Sequence, residues 1–403
     1  MSLESVIIVG GGMAGFTTAK ELRSRGFAGH LTIVDPEGLP YDRPPLSKDY
    51  LLGNRSGDQI LLSAAAWFLE QHVEVVTGRA VALRADDGAV VLEDGRELVA
   101  ERIVLATGGA ARRLDVPGGD LGSVLELRNR ADADRLRGLL RPGVRLAIIG
   151  AGLIGAETAS SALALGADVT LIDPIDPPLV PAVGPELAGR LHRMHTDRGI
   201  RLVTGIPAAI TVDEAGHHIL MDEGGTIDAD LVLVGIGIVP ETALAASAGL
   251  DIDNGTLVDE HQRTSHPRVY AVGDSSRTRL ADGTLLRRAE HWEHAMNTGT
   301  TAAASLLGQD LPAHGASWFW SDRHGVHVEG VGSMLGEGSV VVRERDGVPL
   351  ASFRLDPDGY MGGCAAIDGG LTVRAARRII DRRILVDPAQ LADPDVDLKK
   401  LAR

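Results

Sequence analysis

The residues best suited to chemistry in this chain are two glycine turns, each followed by an acid. The first is Gly10-Gly11-Gly12-Met13-Ala14-Gly15 after the apolar run Val6–Val9, with Asp35 downstream. The second is Gly150-Ala151-Gly152-Leu153-Ile154-Gly155 after Leu146–Ile149, with Asp173 downstream. Glycines at this spacing let backbone approach a pyrophosphate at a helix N-terminus, and the acid accepts hydrogen bonds from a ribose. Asp35 reads as the acceptor for one adenosine ribose. A lone GxGxxG is weak evidence. Two copies, each with strand, helix and acid in place, predict two dinucleotides held face to face, a flavin (FAD) and a nicotinamide. At the second turn Asp173 and Asp176 stand without a Lys or Arg until Arg190, so a 2′-phosphate would meet carboxylates and NADH is favoured over NADPH.

The elements around these turns read as α/β. Strand 6–9, a helix over about 14–24 and strand 31–34 make one βαβ unit. A second covers about 145–172, with its helix over Leu153–Leu165. The loop Tyr41–Lys48 is held extended by Pro44 and Pro45. Hairpins are expected around Ala89–Leu98, turning at Glu93-Asp94-Gly95, and over 208–228. Strands Arg102–Leu105, Leu231–Val234 and Val269–Val272 run into Ala106-Thr107-Gly108-Gly109, Gly235-Ile236-Gly237 and Gly273-Asp274. Beside two dinucleotide folds, Asp274 reads as an acceptor for flavin ribityl hydroxyls. A helix is expected over about 295–307, then a linker over Ala313–Trp320. Strands over about 325–331, 338–344, 350–354 and 361–366 and a helix over 371–383 follow, with a surface tail from Asp387. The predicted architecture is two Rossmann-like dinucleotide-binding domains plus a C-terminal α+β domain, as in glutathione reductase. Residues 1–110 and 240–316 form the FAD-binding domain, 111–239 the NAD-binding domain and 317–403 the last.

Bulk properties narrow the function. The 403 residues suit two or three domains, and 44% hydrophobic content supplies their cores. A net charge of −15 argues against nucleic acid and anionic membranes as partners. No apolar run reaches the roughly 20 residues that span a bilayer, and the N-terminus lacks the basic flank of a signal peptide. A soluble cytoplasmic protein is expected. The single cysteine, Cys364, excludes an internal disulfide and a cysteine-rich metal site. The stretch Glu290-His291-Trp292-Glu293-His294 has two His at i and i+3 but no third ligand cluster, so no metal is expected.

Together GxGxxG, Tyr41-Asp42-Arg43-Pro44-Pro45-Leu46-Ser47-Lys48, Ala106-Thr107-Gly108, GxGxxGxE ending at Glu157, Gly235-Ile236-Gly237, Ala271-Val272-Gly273-Asp274 and Trp318-Phe319-Trp320-Ser321-Asp322 resemble the FAD-dependent pyridine-nucleotide reductases that serve oxygenases, the ferredoxin and rubredoxin (putidaredoxin-type) reductases. The resemblance spans nearly the whole chain. It implies that Lys48 lies near flavin N5 and pairs with Glu157, a carboxylate that offsets the lysine's burial cost. It also implies FAD contacts from Ala14, Arg43, Val81, Ala106, Thr107, Gly108, Arg128 and Trp292, beside Gly10, Gly12, Gly15, Asp35, Gly273 and Asp274. Arg128 would neutralise phosphate charge. NAD would rest on Gly150, Gly152, Leu153, Ile154, Gly155, Glu157, Asp173 and Gly235. Trp320 would lie on the partner-facing side of the flavin or serve as a core tryptophan, two readings that stand level. Arg374, Arg377, Arg378 and Arg382 share one helix face, read as a solvated basic face before a docking surface. One departure is Gly369-Gly370-Leu371, where the family has Asn-Arg-Pro.

With no cysteine before Cys364, disulfide reduction and thiol-dependent peroxidase chemistry are excluded. The expected reaction is hydride transfer from NADH to FAD, then single-electron transfer to a 2Fe–2S ferredoxin or rubredoxin that feeds a monooxygenase or dioxygenase. Two other readings stay open: an NADH oxidase or quinone reductase, and an NADH-sensing flavoprotein of the apoptosis-inducing-factor type. The chain is expected as a monomer or homodimer.

Overall fold

The computed structural model describes residues 3–402. The chain divides into two compact units. One comprises Met1–Arg43, Arg55–Ala110 and Ile238–His314; the other comprises Pro44–Asn54, Ala111–Gly237 and Gly315–Arg403.

The first unit is built on a parallel five-stranded sheet. Its order is Val269–Ala271, Arg102–Leu105, Ser5–Val9, His30–Asp35, Val73–Thr77. Side chains alternate along the central strand. Val6 and Ile8 pack with Phe16, Ala19 and Leu22 of helix Met13–Ser24 and with Ala302 and Ala303 of helix Trp292–Leu306. Ile7 and Val9 pack on the opposite face with Leu83, Val90 and Leu92, from an antiparallel sheet of Ala80–Arg84, Ala89–Leu92 and Glu97–Val99. Strands buried on both faces read as continuous apolar runs, which is how these appear in the sequence.

The second unit repeats the plan. Its parallel sheet runs Arg201–Thr204, Asp168–Asp173, Arg145–Ile149, Leu231–Val234. Leu146 and Ile148 face Ala159 and Ala162 of helix Leu153–Ala164; Ala147 and Ile149 face Ile210, Ile219 and Ile227. Those three isoleucines come from Pro207–Asp213, Gly216–Met221 and Thr226–Ala229, so the expected hairpin over 208–228 is a three-stranded meander. The same unit contains an antiparallel sheet ordered Trp318–Arg323, Val326–Gly332, Met361–Ile367, Val348–Leu355, Ser339–Arg345, covered by helix Gly370–Asp381.

Three local expectations are corrected and a fourth is sharpened. Pro44–Ser47 forms a 3-10 turn rather than an extended loop, because the fixed proline φ also suits the first turn of a helix. Helix Trp292–Leu306 starts earlier than 295, capped by His291, whose side chain accepts from His294 N–H. Residues 318–320 are strand rather than linker, because their aromatic side chains suit a half-buried pleated surface. The tail from Asp387, expected on the surface, is mostly exposed but ordered and anchored: it forms Pro388–Ala392 and Leu398–Leu401, with Asp387 and Asp397 as N-caps. Leu391, Leu398 and Ala402 are buried with Phe353 and Ile379, and each leucine contributes roughly 1.5–3 kcal/mol by leaving water. Arg343 fixes this tail by donating to the carbonyls of Leu391 at 2.8 Å, Gln390 at 3.1 Å and Val396 at 3.2 Å.

Candidate active site

The two glycine turns occupy equivalent places, at the C-terminal ends of the central strands where open α/β sheets bind ligands. Gly10 and Gly150 have φ of +111° and +104°, and a Cβ on either would strike a carbonyl, of Ala106 in one unit and Gly235 in the other. The backbone at Ala106–Thr107 and at Gly235 therefore presses on the turns and leaves no room for a side chain at Gly10 or Gly150. Nothing would meet a Cβ at Gly12 or Gly152 within 4 Å. These two residues cap helices Met13–Ser24 and Leu153–Ala164, neither of which has a side-chain cap or an acid in its first turn. Uncapped N–H groups beside open space, with Ala14 and Gly15 or Leu153, Ile154 and Gly155 following, fit a diphosphate in each unit.

The acids do more than the spacing implied. Asp35 accepts from Gly11 N–H and Glu37 N–H, both at 2.7 Å. Asp173 accepts from Ala151 N–H at 2.7 Å and Ile175 N–H at 3.0 Å. Each carboxylate therefore ties the end of the second strand to its glycine turn, and keeps lone pairs for a ribose. Burial raises the Asp35 pKa, and the two backbone N–H groups pull against that.

Within the first unit, a shallow recess is lined by Gly11, Gly12, Asp35, Pro40, Tyr41 and Arg43. Arg43 lies 3.6 Å from Glu37. Gly273, at φ +68°, lies against Ala14 and donates its N–H to Thr298 Oγ1 at 2.9 Å. The Asp274 carbonyl accepts from Arg288, and Trp292 Nε1 donates to Asp42 Oδ1 at 3.0 Å. Thr107 Oγ1 donates to the Glu241 carbonyl at 2.7 Å. Val81 is half exposed on strand Ala80–Arg84.

Within the second unit, Arg128 precedes the capping box formed by Asn129 and Asp132, and its own N–H donates to Asp132 at 2.9 Å. Lys48 follows the Pro44–Ser47 turn, and its Nζ lies 3.6 Å from Glu157 Oε1. A shorter contact, 2.8 Å, joins it to Asp322 Oδ2. Its ammonium also sits 5.5 Å from the centroid of Trp320, which stacks on Trp318 at 4.9 Å. Glu157 is buried at 4% exposure and fully engaged. Its Oε2 accepts from Ser47 Oγ at 2.6 Å; its Oε1 accepts from Ser321 Oγ at 2.7 Å and Asp322 N–H at 3.3 Å. Behind it lies Arg323, buried, donating to Ser321 Oγ at 2.9 Å. Burial pulls the Arg323 pKa down to about 10, opposed by the charges of Glu157 and Asp322.

Sequence reasoning named Lys48 and Glu157 but missed Ser47, Ser321, Asp322 as the lysine's nearer partner, and Arg323. The signal was present in the Ser-Lys and Ser-Asp-Arg runs, yet only the fold shows that both meet one helix residue. His291 and His294 serve a helix cap, and among the described residues no cluster of three potential metal ligands occurs. Cys364 is fully buried on strand Met361–Ile367, and burial pushes its thiol pKa up, away from reactivity. Among the described residues no helix is long and apolar enough to cross a membrane.

Residues 4–299 match the family model described as pyridine nucleotide-disulphide oxidoreductase, and 318–402 match the one described as reductase C-terminal. The chain belongs to the pyridine nucleotide-disulphide oxidoreductase family. It is 38% identical over 409 aligned positions to the ferredoxin–NAD(+) reductase component of the anthranilate 1,2-dioxygenase system of Burkholderia cepacia, covering 99% of each chain. It is 33% identical to putidaredoxin reductase of Pseudomonas putida, covering 99% of this chain and 96% of that one. Among solved structures, a chain of the covalent putidaredoxin reductase–putidaredoxin complex superposes with a TM-score of 0.92 at 31% identity, covering 100% of this chain and 98% of that one.

Proposed function

We propose that this protein is an NADH-dependent flavoprotein reductase that passes electrons through FAD to a small iron–sulfur protein, a ferredoxin or rubredoxin, which supplies a monooxygenase or dioxygenase. The observation that carries the reading is the paired glycine turn, each with a bound acid and an uncapped helix, in a chain similar over its full length to ferredoxin reductases of oxygenase systems. The single buried thiol supports electron exit by a route other than a redox disulfide.

Residues 1–110 and 240–316 are assigned to FAD, 111–239 to NADH and 317–403 to the C-terminal module. Gly10, Gly12 and Gly15 would take the FAD diphosphate and Asp35 its adenosine ribose. Gly152–Gly155 and Asp173 would do the same for NADH. FAD, when bound, supplies the centre that accepts a hydride from NADH and releases electrons singly. The chain's own residues would orient and shield that centre. Lys48 provides a cation whose position is set by Glu157 and Asp322, and Ser47 and Ser321 hold Glu157 in place. Trp320 stands level between a partner-facing contact and a packing residue. A soluble cytoplasmic location is part of the proposal.

Anaerobic stopped-flow mixing of the FAD-loaded protein with NADH and then with a 2Fe–2S ferredoxin tests it. Fast flavin bleaching followed by fast ferredoxin reduction is expected. Fast bleaching without transfer to any ferredoxin or rubredoxin would point instead to an oxidase or quinone reductase.

A further inference from the structure

The two oxygens of Asp322 are divided. Oδ2 lies 2.8 Å from Lys48 Nζ, and Oδ1 lies 2.5 Å from His327 Nδ1. The other ring nitrogen, His327 Nε2, lies 3.2 Å from Glu329 Oε1. The hairpin register produces this row, because Asp322 pairs with His327 and Trp320 with Glu329 across strands Trp318–Arg323 and Val326–Gly332. His327 N–H also donates to Asp368 Oδ1 at 2.9 Å, which fixes the backbone from the neighbouring strand end.

Both nitrogens of this imidazole therefore face carboxylate oxygens. A neutral ring carries one N–H and satisfies one of them; only the imidazolium donates to both. Asp322 on the first strand and Glu329 on the second face the ring, and Asp368 beyond strand Met361–Ile367 holds the backbone N–H; on the far side of Asp322 stand Lys48, after the Pro44–Ser47 turn, and through the lysine Glu157 on helix Leu153–Ala164, with Arg323 behind them. Loss of the ring proton leaves Nδ1–H with the nearer Asp322, releases Glu329, and removes one positive charge from the Lys48 surroundings.

We infer that His327 is a positioning residue for Lys48: acting through Asp322, it sets the charge that the lysine experiences and makes chemistry at Lys48 depend on pH. The inference rests on the assignment of Lys48 to the flavin in the proposed function. Burial alone would lower the His327 pKa, but the hydrogen bonds to Asp322 and Glu329 outweigh it and raise the value above 6.5.

The test uses the FAD-loaded protein carrying ring-labelled histidine, with His327→Gln identifying the resonance. In wild type, His327 should titrate above 6.5. Lys48→Met should move its midpoint up and Asp322→Asn should move it down. The rate of flavin reduction by NADH should inflect at the same midpoint in wild type and lose that inflection in His327→Gln, which can still donate to Asp322 but never charges. A His327 midpoint unmoved by both Lys48→Met and Asp322→Asn, or an inflection that survives in His327→Gln, overturns the inference. A wild-type protein that NADH cannot reduce at any pH overturns the functional reading, and the histidine titration then judges the Lys48–Asp322–His327 coupling by itself.

Discussion

Ser47 Oγ donates to Glu157 Oε2 at 2.6 Å, so the residue before the lysine is bonded to the carboxylate that the lysine itself approaches. Ser161 Oγ closes the arrangement by donating to the Ser47 carbonyl at 2.7 Å. Helix Leu153–Ala164 thus holds the Pro44–Ser47 turn by both its side chain and its backbone. Ser47→Ala leaves a buried carboxylate oxygen short of one donor, a change that costs roughly 1–3 kcal/mol. Chemical denaturation should show that loss, and flavin reduction by NADH should slow because Lys48 is less firmly placed.

Glu157→Ala should slow flavin reduction more than it weakens FAD retention. The carboxylate is also the largest opposing charge on the buried Arg323, which would lose that compensation. A lower melting temperature is therefore expected alongside the kinetic change. Stopped-flow reduction at an unchanged rate would count against the role of Glu157.

Asp173→Ala removes the acceptor for Ala151 N–H and Ile175 N–H as well as the proposed ribose contact. The KM for NADH should rise, on the order of tenfold if about 1.4 kcal/mol of binding is lost, with FAD content unchanged. Equal FAD loss would mean that Asp173 serves the fold at large. Asp35→Ala should do the converse, releasing FAD on gel filtration.

Acid should destabilise the protein in a definite window. His195 is buried, and burial holds its pKa down to about 3. The unfolded chain binds that proton near 6.5, so the unfolded state holds more protons at any pH between the two values. Stability is fully present above 6.5 and falls as the pH drops towards 3; at pH 5 this imidazole alone accounts for roughly 1–2 kcal/mol. Melting temperatures at pH 7 and pH 5 should differ accordingly, and His195→Gln should narrow the gap. His324, 2.9 Å from His195 and also depressed, to about 4, acts in the same direction.

Trp320→Leu tests the two readings of the tryptophan. A residue on the electron path predicts slower ferredoxin reduction with flavin reduction by NADH unchanged. A packing residue predicts a stability loss alone, since Trp320 contacts both Trp318 and the Lys48 ammonium.

The parts of the structure legible in the sequence are those with short-range rules. Val6–Val9 and Leu146–Ile149 are apolar on both faces, and Gly10 and Gly150 need positive φ, so strand and turn announce themselves. Strand Arg102–Leu105 and strand Leu231–Val234 end where their residues suggest for the same reason. What was hidden depends on distant partners. Leu391 and Leu398 sit among charges and prolines that suggest a surface tail, and only the carbonyl-gathering Arg343 and the apolar sheet beneath bring them inside. Asp322 lies 274 positions from Lys48, and no local pattern marks a carboxylate as the partner of so remote an ammonium.

The inertness of Cys364 has a practical side. The chain's single sulfhydryl is buried in the sheet with no exposed surface. The natural protein is therefore already a blank background for site-directed labelling. One cysteine introduced at an exposed position would carry one dye or spin label, and distances from it to an iron–sulfur partner could be measured without first removing anything.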